Sequence, residues 1–241
     1  MSAELLPGVA LVTGAGRGIG AAISLRLGRA GCRVALVARS VGELQAVAAA
    51  IGDAAPTLIA PADVTDDAQL ASAVEQARGA FGPIGILINA AGAAPPRQPL
   101  ERAAGADWDR VLATCLRAPI VLTRMLLPDM LAQRAGAVIN IASIAAHAPR
   151  AGEAVYAAAK AGLVAFGQAL FAEVRDSGIK VTTICPGYVD TAFIPPNRRV
   201  DRSKFLRPQD VADTVLHVLG SPPSVCPTEI LLQPQFDPER R

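Results

Sequence analysis

With 241 residues, 51% of them hydrophobic, the chain is long enough for one domain with a sizeable core, which we place at residues 1–241. This composition excludes wholesale disorder. The formal net charge of +2 gives little support to nucleic-acid binding, which needs a concentrated basic face. No stretch approaches the ~20 apolar residues of a membrane helix. Residues 1–8 lack the basic and apolar regions of a secretory signal.

Predicted strands and helices alternate along the chain. The predicted strands are 9–13, 33–38, 57–60, 84–89, 137–142, 180–185 and 229–232. The predicted helices are 18–30, 40–51, 66–80, 107–134, 153–176 and 208–219. The strands are almost continuously hydrophobic, which is typical of a parallel sheet covered on both faces. The pattern therefore predicts a doubly wound α/β fold.

Two features interrupt this alternation. Pro119 and Pro128 lie inside the helix predicted for 107–134. We expect them to kink or subdivide it, because proline lacks the N–H and clashes one turn back. Residues 188–207 form the least regular segment, with two prolines and five basic residues. A loop of this length in a compact domain is usually functional, so we predict a substrate lid there.

A glycine-rich turn follows the first strand and opens the first helix. It contains Gly14, Gly16, Arg17, Gly18, Ile19 and Gly20. Glycines let the chain turn tightly and bring backbone N–H groups and a helix N-terminus close to a pyrophosphate. An ordinary glycine-rich turn is the alternative, but dinucleotide binding requires this place between strand and helix.

The end of the second strand indicates which nicotinamide dinucleotide binds. An acidic residue there would bind the ribose 2′-OH of NAD, whereas this chain has Arg39 and no carboxylate in residues 37–40. Arg39 and Arg17 favour a 2′-phosphate, because guanidinium groups form forked, charge-assisted hydrogen bonds with phosphate. The sequence therefore predicts NADP(H) as cofactor. The alternative is that Arg39 is a solvated surface residue.

Other strand ends carry residues that face the edge where open α/β sheets bind ligands. These residues are Asp63, Val64, Asn89, Ala91, Gly92, Pro186, Gly187, Val189 and Thr191. We expect Asp63 to accept a hydrogen bond from the adenine amine, with an N-terminal helix cap as the alternative. We expect Asn89 to fix the backbone beside the cofactor ribose. The turn that begins at Pro186 is expected to meet the nicotinamide amide, unless it only ends a strand.

Tyr156 lies four residues before Lys160, so the two side chains share one helix face. A phenol is a poor acid or base near neutrality, because its reference pKa is about 10. A neighbouring ammonium group favours the phenolate, so we expect Lys160 to lower the pKa of Tyr156 and make it a usable acid or base. Ser143, just after the fifth strand, is placed to hold a substrate carbonyl beside the phenol.

The spacing of cysteine and histidine gives no metal or redox motif. These residues are Cys32, Cys115, Cys185, Cys226, His147 and His217. No pair is spaced like metal ligands or like a redox dithiol. We therefore expect free thiols in a reducing cytoplasm and no metal site.

In this order and spacing, the motifs resemble the short-chain dehydrogenase/reductase family over about residues 8–219. The resemblance implies a Rossmann fold with a seven-stranded, mostly parallel sheet in the order 3-2-1-4-5-6-7. It also implies that Tyr156 is the catalytic acid/base, that Lys160 binds the nicotinamide ribose, and that Ser143 orients the substrate.

Two departures from the family pattern stand out. Cys115 occupies the place of an asparagine that supports a water in the proton relay, and a thiol hydrogen-bonds weakly; its alternative is a small buried apolar residue. The C-terminus lacks the Asp-Gly-Gly strand of many members, and it resembles a branch acting on hydroxy acids, sugars or other small alcohols. Of the two arginines that dock the carrier in 3-oxoacyl-acyl-carrier-protein reductases, Arg134 matches one and Ser177 replaces the other.

The sequence thus predicts an NADP(H)-dependent carbonyl reductase or alcohol dehydrogenase that acts on a small molecule. Tyr156 gives the proton to the carbonyl oxygen, and Cys115 takes part in the relay. A homodimer or homotetramer in the cytoplasm is expected, with no nucleic-acid or membrane partner. Two alternatives stay open: a 3-oxoacyl-acyl-carrier-protein reductase, and a cofactor-binding regulator with little turnover.

Overall fold

The predicted strands assemble into one parallel sheet. The computed structural model describes residues 8–93, 97–194 and 200–240. The strands are β1 Val9–Thr13, β2 Arg33–Ala38, β3 Thr57–Pro61, β4 Ile86–Asn89, β5 Gly136–Ile141, β6 Ile179–Pro186 and β7 Glu229–Leu232. Within the described ranges the sheet has seven strands in the order β3-β2-β1-β4-β5-β6-β7, and all neighbouring pairs are parallel. The predicted fold class and strand order are confirmed.

Helices cover both faces of this sheet. They are α1 Gly18–Arg29, α2 Val41–Ile51, α3 Asp67–Phe81, α4 Gly105–Leu112, α5 Ala118–Gln133, α6 Ala154–Val174 and α7 Pro208–Leu219. Helices α1, α2 and α7 share one apolar cluster with the sheet, centred on residues such as Val215. Helices α3, α5 and α6 form a second cluster with residues such as Leu126. Two cores, one on each face, explain why the strands are hydrophobic along their whole length.

The segment predicted as one helix, 107–134, consists of α4 and α5 joined by a π-helical turn at Ala113–Arg117. Pro119 follows this turn and cannot donate to the carbonyl of Cys115 four residues earlier, which favours the wider turn. Helix α5 continues through Pro128. The expected subdivision therefore occurs at the first proline.

Two helical segments have the length and hydropathy of a membrane span. Gly105–Gln133 has a mean hydropathy of 1.5, and Ala154–Ser177 has one of 1.4. The match to a membrane span rests on length and composition alone. In the fold, both segments pack against the sheet through residues such as Leu126 and Leu170. They act as core helices of this fold.

The predicted lid, residues 188–207, is fixed at its base. The Asp190 N–H donates to the Leu206 carbonyl at 2.8 Å. Arg202 forms an ion pair with the Asp190 carboxylate. Residues 195–199 of the lid lie outside the described part of the chain. The described ends of the lid are thus joined to each other at the edge of the sheet.

Candidate active site

An open cleft of about 1840 Å³ runs along the edge where the strands end. Chain order reverses there between β1 and β4, which is where open α/β sheets bind ligands. The predicted site residues that line the cleft are Gly14, Gly16, Arg17, Gly18, Ile19, Gly20, Arg39, Asp63, Val64, Ala91, Gly92, Ser143, Tyr156, Lys160, Pro186, Gly187, Val189 and Thr191. Asn89 and Cys115, which were also predicted, are not among the described residues that line it.

The glycine-rich turn forms a cradle that requires glycine. Gly14 has a φ of 65°, and a Cβ there would lie 2.9 Å from the Ala90 carbonyl oxygen. A Cβ on Gly20 would lie 2.2 Å from the Gly14 carbonyl oxygen. Helix α1 begins at Gly18, and its first turn, all of it described, has no acidic residue and no side-chain cap. Its N–H groups are therefore uncovered, and the arrangement fits a pyrophosphate.

Thr13, which is buried, joins the ends of the first and fourth strands. Its Oγ1 accepts hydrogen bonds from the N–H groups of Ala90 and Ala91, both at 3.1 Å. Asn89 is buried next to it and donates from Nδ2 to Asn140 Oδ1 at 2.9 Å. The Asn89 side chain thus joins β4 to β5 instead of entering the cleft. Asn140 was not predicted, although an asparagine within a hydrophobic strand was the available signal.

Two of the arginines that line the cleft, Arg17 and Arg39, were predicted to bind the cofactor, and each lies near a carboxylate. Arg17 Nη1 lies 3.7 Å from Glu43 Oε1, and Arg39 Nη1 lies 3.9 Å from Asp63 Oδ2. The two arginine side chains are 71% and 75% exposed, so their guanidinium groups are accessible to an anion. Hydrogen bonds from the Thr65 N–H and hydroxyl lower the pKa of Asp63, and Arg39 contributes less. Asp63 is therefore an ionised acceptor at neutral pH.

Ser143, Tyr156 and Lys160 meet beyond the end of β5. Lys160 is buried, donates from Nζ to the Ile141 carbonyl at 2.8 Å, and lies 5.9 Å from the ring centroid of Tyr156. The Ser143 hydroxyl accepts a hydrogen bond from the Ala145 N–H at 3.1 Å. Ser143 also lowers the pKa of the Tyr156 phenol. A hydroxyl, a phenol and an ammonium group thus share one wall of the cleft.

The pKa of Tyr156 is raised above its ordinary value. Burial is the largest cause, and Lys160 and Ser143 lower the pKa by less than burial raises it. Lys160 acts in the predicted direction, but the net shift is opposite to the predicted one, because the sequence pattern did not reveal how deeply the phenol is enclosed. A phenol that stays protonated at neutral pH is suited to the role of general acid.

Cys115 lies outside the cleft, in the π-helical turn. It is fully buried and packs with Ala159 beside Tyr156. Its Sγ accepts a hydrogen bond from the Ala93 N–H at 3.4 Å and donates to the Ala93 carbonyl at 3.3 Å. Cys115 was predicted among the catalytic residues, but its side chain contacts backbone and not the cleft. Its part in the proton relay therefore stays a prediction.

Phe193 in the lid faces Tyr156 and was not predicted. The two ring centroids lie 6.2 Å apart. Phe193 is 47% exposed, so the face of its ring toward solvent is free to contact a ligand. The sequence did not indicate Phe193, because the lid has no hydrophobic periodicity that would distinguish one of its residues.

The C-terminal tail reaches the rim of the cleft, which the sequence also did not indicate. Glu239 forms an ion pair with Arg150 and accepts a hydrogen bond from the Tyr188 hydroxyl at 2.7 Å. Lys204 in the lid donates from Nζ to the Arg240 carbonyl at 2.6 Å. Arg150 and Tyr188 both line the cleft. The tail therefore joins the lid to the loop after β5 that carries Arg150.

Known proteins resemble this chain in sequence and in structure. The family model described as short chain dehydrogenase matches residues 8–200. An uncharacterized oxidoreductase of Staphylococcus aureus (strain MRSA252) is 35% identical over 226 residues, which cover 94% of this chain and 96% of the relative.

Two solved structures show the same arrangement. A metagenomic short-chain oxidoreductase in complex with NADP has a TM-score of 0.83 and 32% identity, with 97% of this chain and 100% of that chain covered. A 3-ketoacyl-(acyl-carrier-protein) reductase from Brucella melitensis complexed with NADH has a TM-score of 0.88 and 29% identity, with 96% and 98% covered. Sequence, fold and cleft agree: the chain belongs to the short-chain dehydrogenase/reductase family of oxidoreductases.

Proposed function

We propose that the protein is an NADP(H)-dependent oxidoreductase that interconverts a small carbonyl compound and its alcohol. The observation that carries the proposal is the group of Ser143, Tyr156 and Lys160 in the same cleft as the glycine cradle. When bound, a nicotinamide cofactor gives or takes a hydride. The glycine-rich turn, Asp63 and the turn after β6 would hold it.

The residues of the chain supply the proton and the orientation. In reduction, Tyr156 Oη gives its proton to the carbonyl oxygen; in oxidation, it takes the proton back from the alcohol. The Ser143 hydroxyl donates to the same oxygen and fixes its position. The Lys160 ammonium group stabilises the phenolate that remains after proton transfer. The ring of Phe193 restricts water on the open side of the phenol.

The preference for NADP(H) is proposed from Arg17 and Arg39. Both guanidinium groups are exposed at the cleft, and their carboxylate neighbours lie 3.7 and 3.9 Å away, so both arginines can turn to a 2′-phosphate. One similar structure contains NADP and another contains NADH. These side chains, more than the shared fold, therefore support the choice.

A 3-oxoacyl-acyl-carrier-protein reductase is the second candidate, because the similar reductase from Brucella melitensis has a TM-score of 0.88. The surface for an acidic carrier gives less support. Arg134 donates from Nη2 to the Asp176 carbonyl at 3.0 Å, and Ser177 beside it carries no charge. We therefore favour a free small molecule as the substrate.

A substrate screen tests these proposals. Purified protein is mixed with NADPH or NADH and with diketones, β-keto esters or an acyl-carrier-protein thioester, and the loss of reduced-nicotinamide absorbance is recorded. We expect turnover of free carbonyl compounds with NADPH. Faster turnover of the thioester would favour the second candidate. Cofactor binding without turnover of any compound would favour a regulatory protein and contradict the proposal.

A further inference from the structure

A second group of reactive side chains lies outside the cleft. His147 comes from the turn after β5, Cys185 from β6 and Glu229 from the first position of β7. One nitrogen, the sulfur and one carboxylate oxygen of these residues lie within 4.8 Å of one another. None of the three belongs to the described residues that line the cleft, and the proposed function uses none of them.

The three side chains converge on one point. Cys185 Sγ lies 3.7 Å from Glu229 Oε1, and His147 Nε2 contacts the same oxygen. Cys185 is fully buried, whereas the side chains of Glu229 and His147 are 22% and 39% exposed. The group therefore has a buried sulfur at one end and an opening to solvent at the imidazole.

This mixture of donors is one that zinc prefers. Thiolate, imidazole and carboxylate are the common zinc ligands, at distances of about 2.0–2.3 Å from the metal. A tetrahedral ion with such bonds spaces its ligand atoms roughly 3.3–3.7 Å apart. The separation of Cys185 and Glu229 already meets this requirement. The exposed ring of His147 needs only to move back from the carboxylate.

The supports of the group are rigid. Strands β6 and β7 pair in parallel, with Thr183 opposite Glu229 and Cys185 opposite Leu231. Gln168 in α6 donates from Nε2 to Glu229 Oε2 at 3.3 Å and leaves Oε1 of that carboxylate directed at the other two side chains. Such outer partners orient metal ligands in known sites.

We propose that His147, Cys185 and Glu229 bind one Zn²⁺ ion, with water as the fourth ligand. The spacing of these residues in the sequence gave no metal motif, because the fold brings them together from the turn after β5 and from two strands, β6 and β7. On binding, the S–H bond of Cys185 breaks, a sulfur–zinc bond forms, and the proton passes to solvent. His147 ends the short turn that Ser143 begins, so the ion joins that turn to β7.

The test uses chelator-treated protein without a histidine tag, and Zn²⁺ or Co²⁺ alone. Calorimetry measures Zn²⁺ binding, and the absorption of the Co²⁺ complex shows whether a thiolate is a ligand through its charge-transfer band. We expect one equivalent of each metal and a thiolate band. Cys185→Ser, His147→Ala and Glu229→Gln should each weaken Zn²⁺ binding more than the ~10–100-fold expected for Gln168→Ala.

Matched controls are available within the chain. His217→Ala removes the other histidine, and Cys226→Ser removes a partly exposed thiol that donates to the Val181 carbonyl. We expect both to bind Zn²⁺ like the wild type. A wild-type Co²⁺ complex without the thiolate band overturns the proposal, even where a variant fails to fold. Unchanged affinity in folded Cys185→Ser also overturns it and leaves His147 and Glu229 as a simple ion pair.

Discussion

Tyr156 lies among a hydroxyl, an ammonium group and an aromatic ring, and in the proposed function its phenol contributes chemistry more than affinity. We predict that Tyr156→Phe lowers kcat by about 10²–10⁴-fold, the usual cost of losing an acid–base group. NADPH affinity should stay within a few-fold, because other residues make most cofactor contacts. Steady-state kinetics and a fluorescence titration of NADPH measure the two effects. A variant that keeps more than about a tenth of kcat would contradict the role.

Arg39 supplies the charge expected to distinguish the two nicotinamide cofactors. We predict that the wild type has a higher kcat/KM with NADPH and that Arg39→Asp reverses this preference. Loss of charge-assisted hydrogen bonds to a 2′-phosphate costs roughly 1.5–3 kcal/mol. Kinetics with both cofactors test the prediction, and Arg29→Ala, which changes an arginine outside the cleft, is the control. Equal kcat/KM values for the two cofactors in the wild type would refute it.

Cys115 makes two long hydrogen bonds to Ala93, at 3.3 and 3.4 Å. An asparagine amide has both a donor and an acceptor for the same backbone groups. We predict that Cys115→Asn keeps or raises kcat. Cys115→Ala, which loses both bonds, should lower Tm. The opposing effect is overpacking, at roughly 1–3 kcal/mol. A melting curve shows whether Cys115→Asn is folded. A folded variant with a kcat at least tenfold below wild type would contradict the prediction and show that the site is adapted to the thiol.

At the scale of elements, the turn between β1 and α1 requires glycine, because there is no room for a side chain at Gly20. A Cβ on Gly20 would lie 2.2 Å from the Gly14 carbonyl oxygen, whereas one on exposed Gly42 in α2 would meet nothing within 4 Å. We predict that Gly20→Ala lowers both Tm and NADPH affinity. Gly42→Ala should stabilise the protein by about 0.5–1 kcal/mol, because alanine is the better helix residue. Thermal melts with and without NADPH separate the two variants, and equal behaviour would be the contrary result.

The strands were predictable because burial on both faces forces a continuous hydrophobic run, and this signal is local. The positions at which the strands begin and end were harder to predict. Ile84 is hydrophobic and was assigned to a strand, but its N–H donates to the Asp129 carboxylate at 3.4 Å and β4 begins at Ile86. The π-helical turn before Pro119 was visible only as a proline that would disturb a helix.

In the candidate site, residues in short motifs were predictable, whereas partners from distant parts of the chain were not. Asn89 and Asn140 are 51 positions apart, and Tyr188 and Glu239 are also separated by 51. Motif spacing carries no information on such pairs. The raised pKa of Tyr156 was missed for a related reason, because it depends on burial by the whole fold.

At the scale of the molecule, the C-terminal tail connects the lid to the wall of the cleft through Glu239 and Arg240. We predict that removing residues 237–241 raises the substrate KM several-fold and leaves NADPH affinity unchanged. The effect is modest because exposed ion pairs contribute only about 0–1 kcal/mol each. Glu239→Gln should give a smaller increase in KM. An unchanged KM in the truncated protein would show that the tail does not influence the lid.

The glycine cradle consists of backbone groups, and this affects which parts of the cleft amino-acid substitutions can alter. Amide groups are common to nearly all residues, so substitutions elsewhere on the surface leave this part of the cleft intact. The lid, in contrast, lines the cleft with side chains such as Phe193 and Tyr188, and Glu239 of the tail contacts Tyr188. We therefore expect that selection or laboratory libraries directed at residues 188–194, 200–207 and 237–240 alter substrate choice while the proposed dinucleotide half stays unchanged.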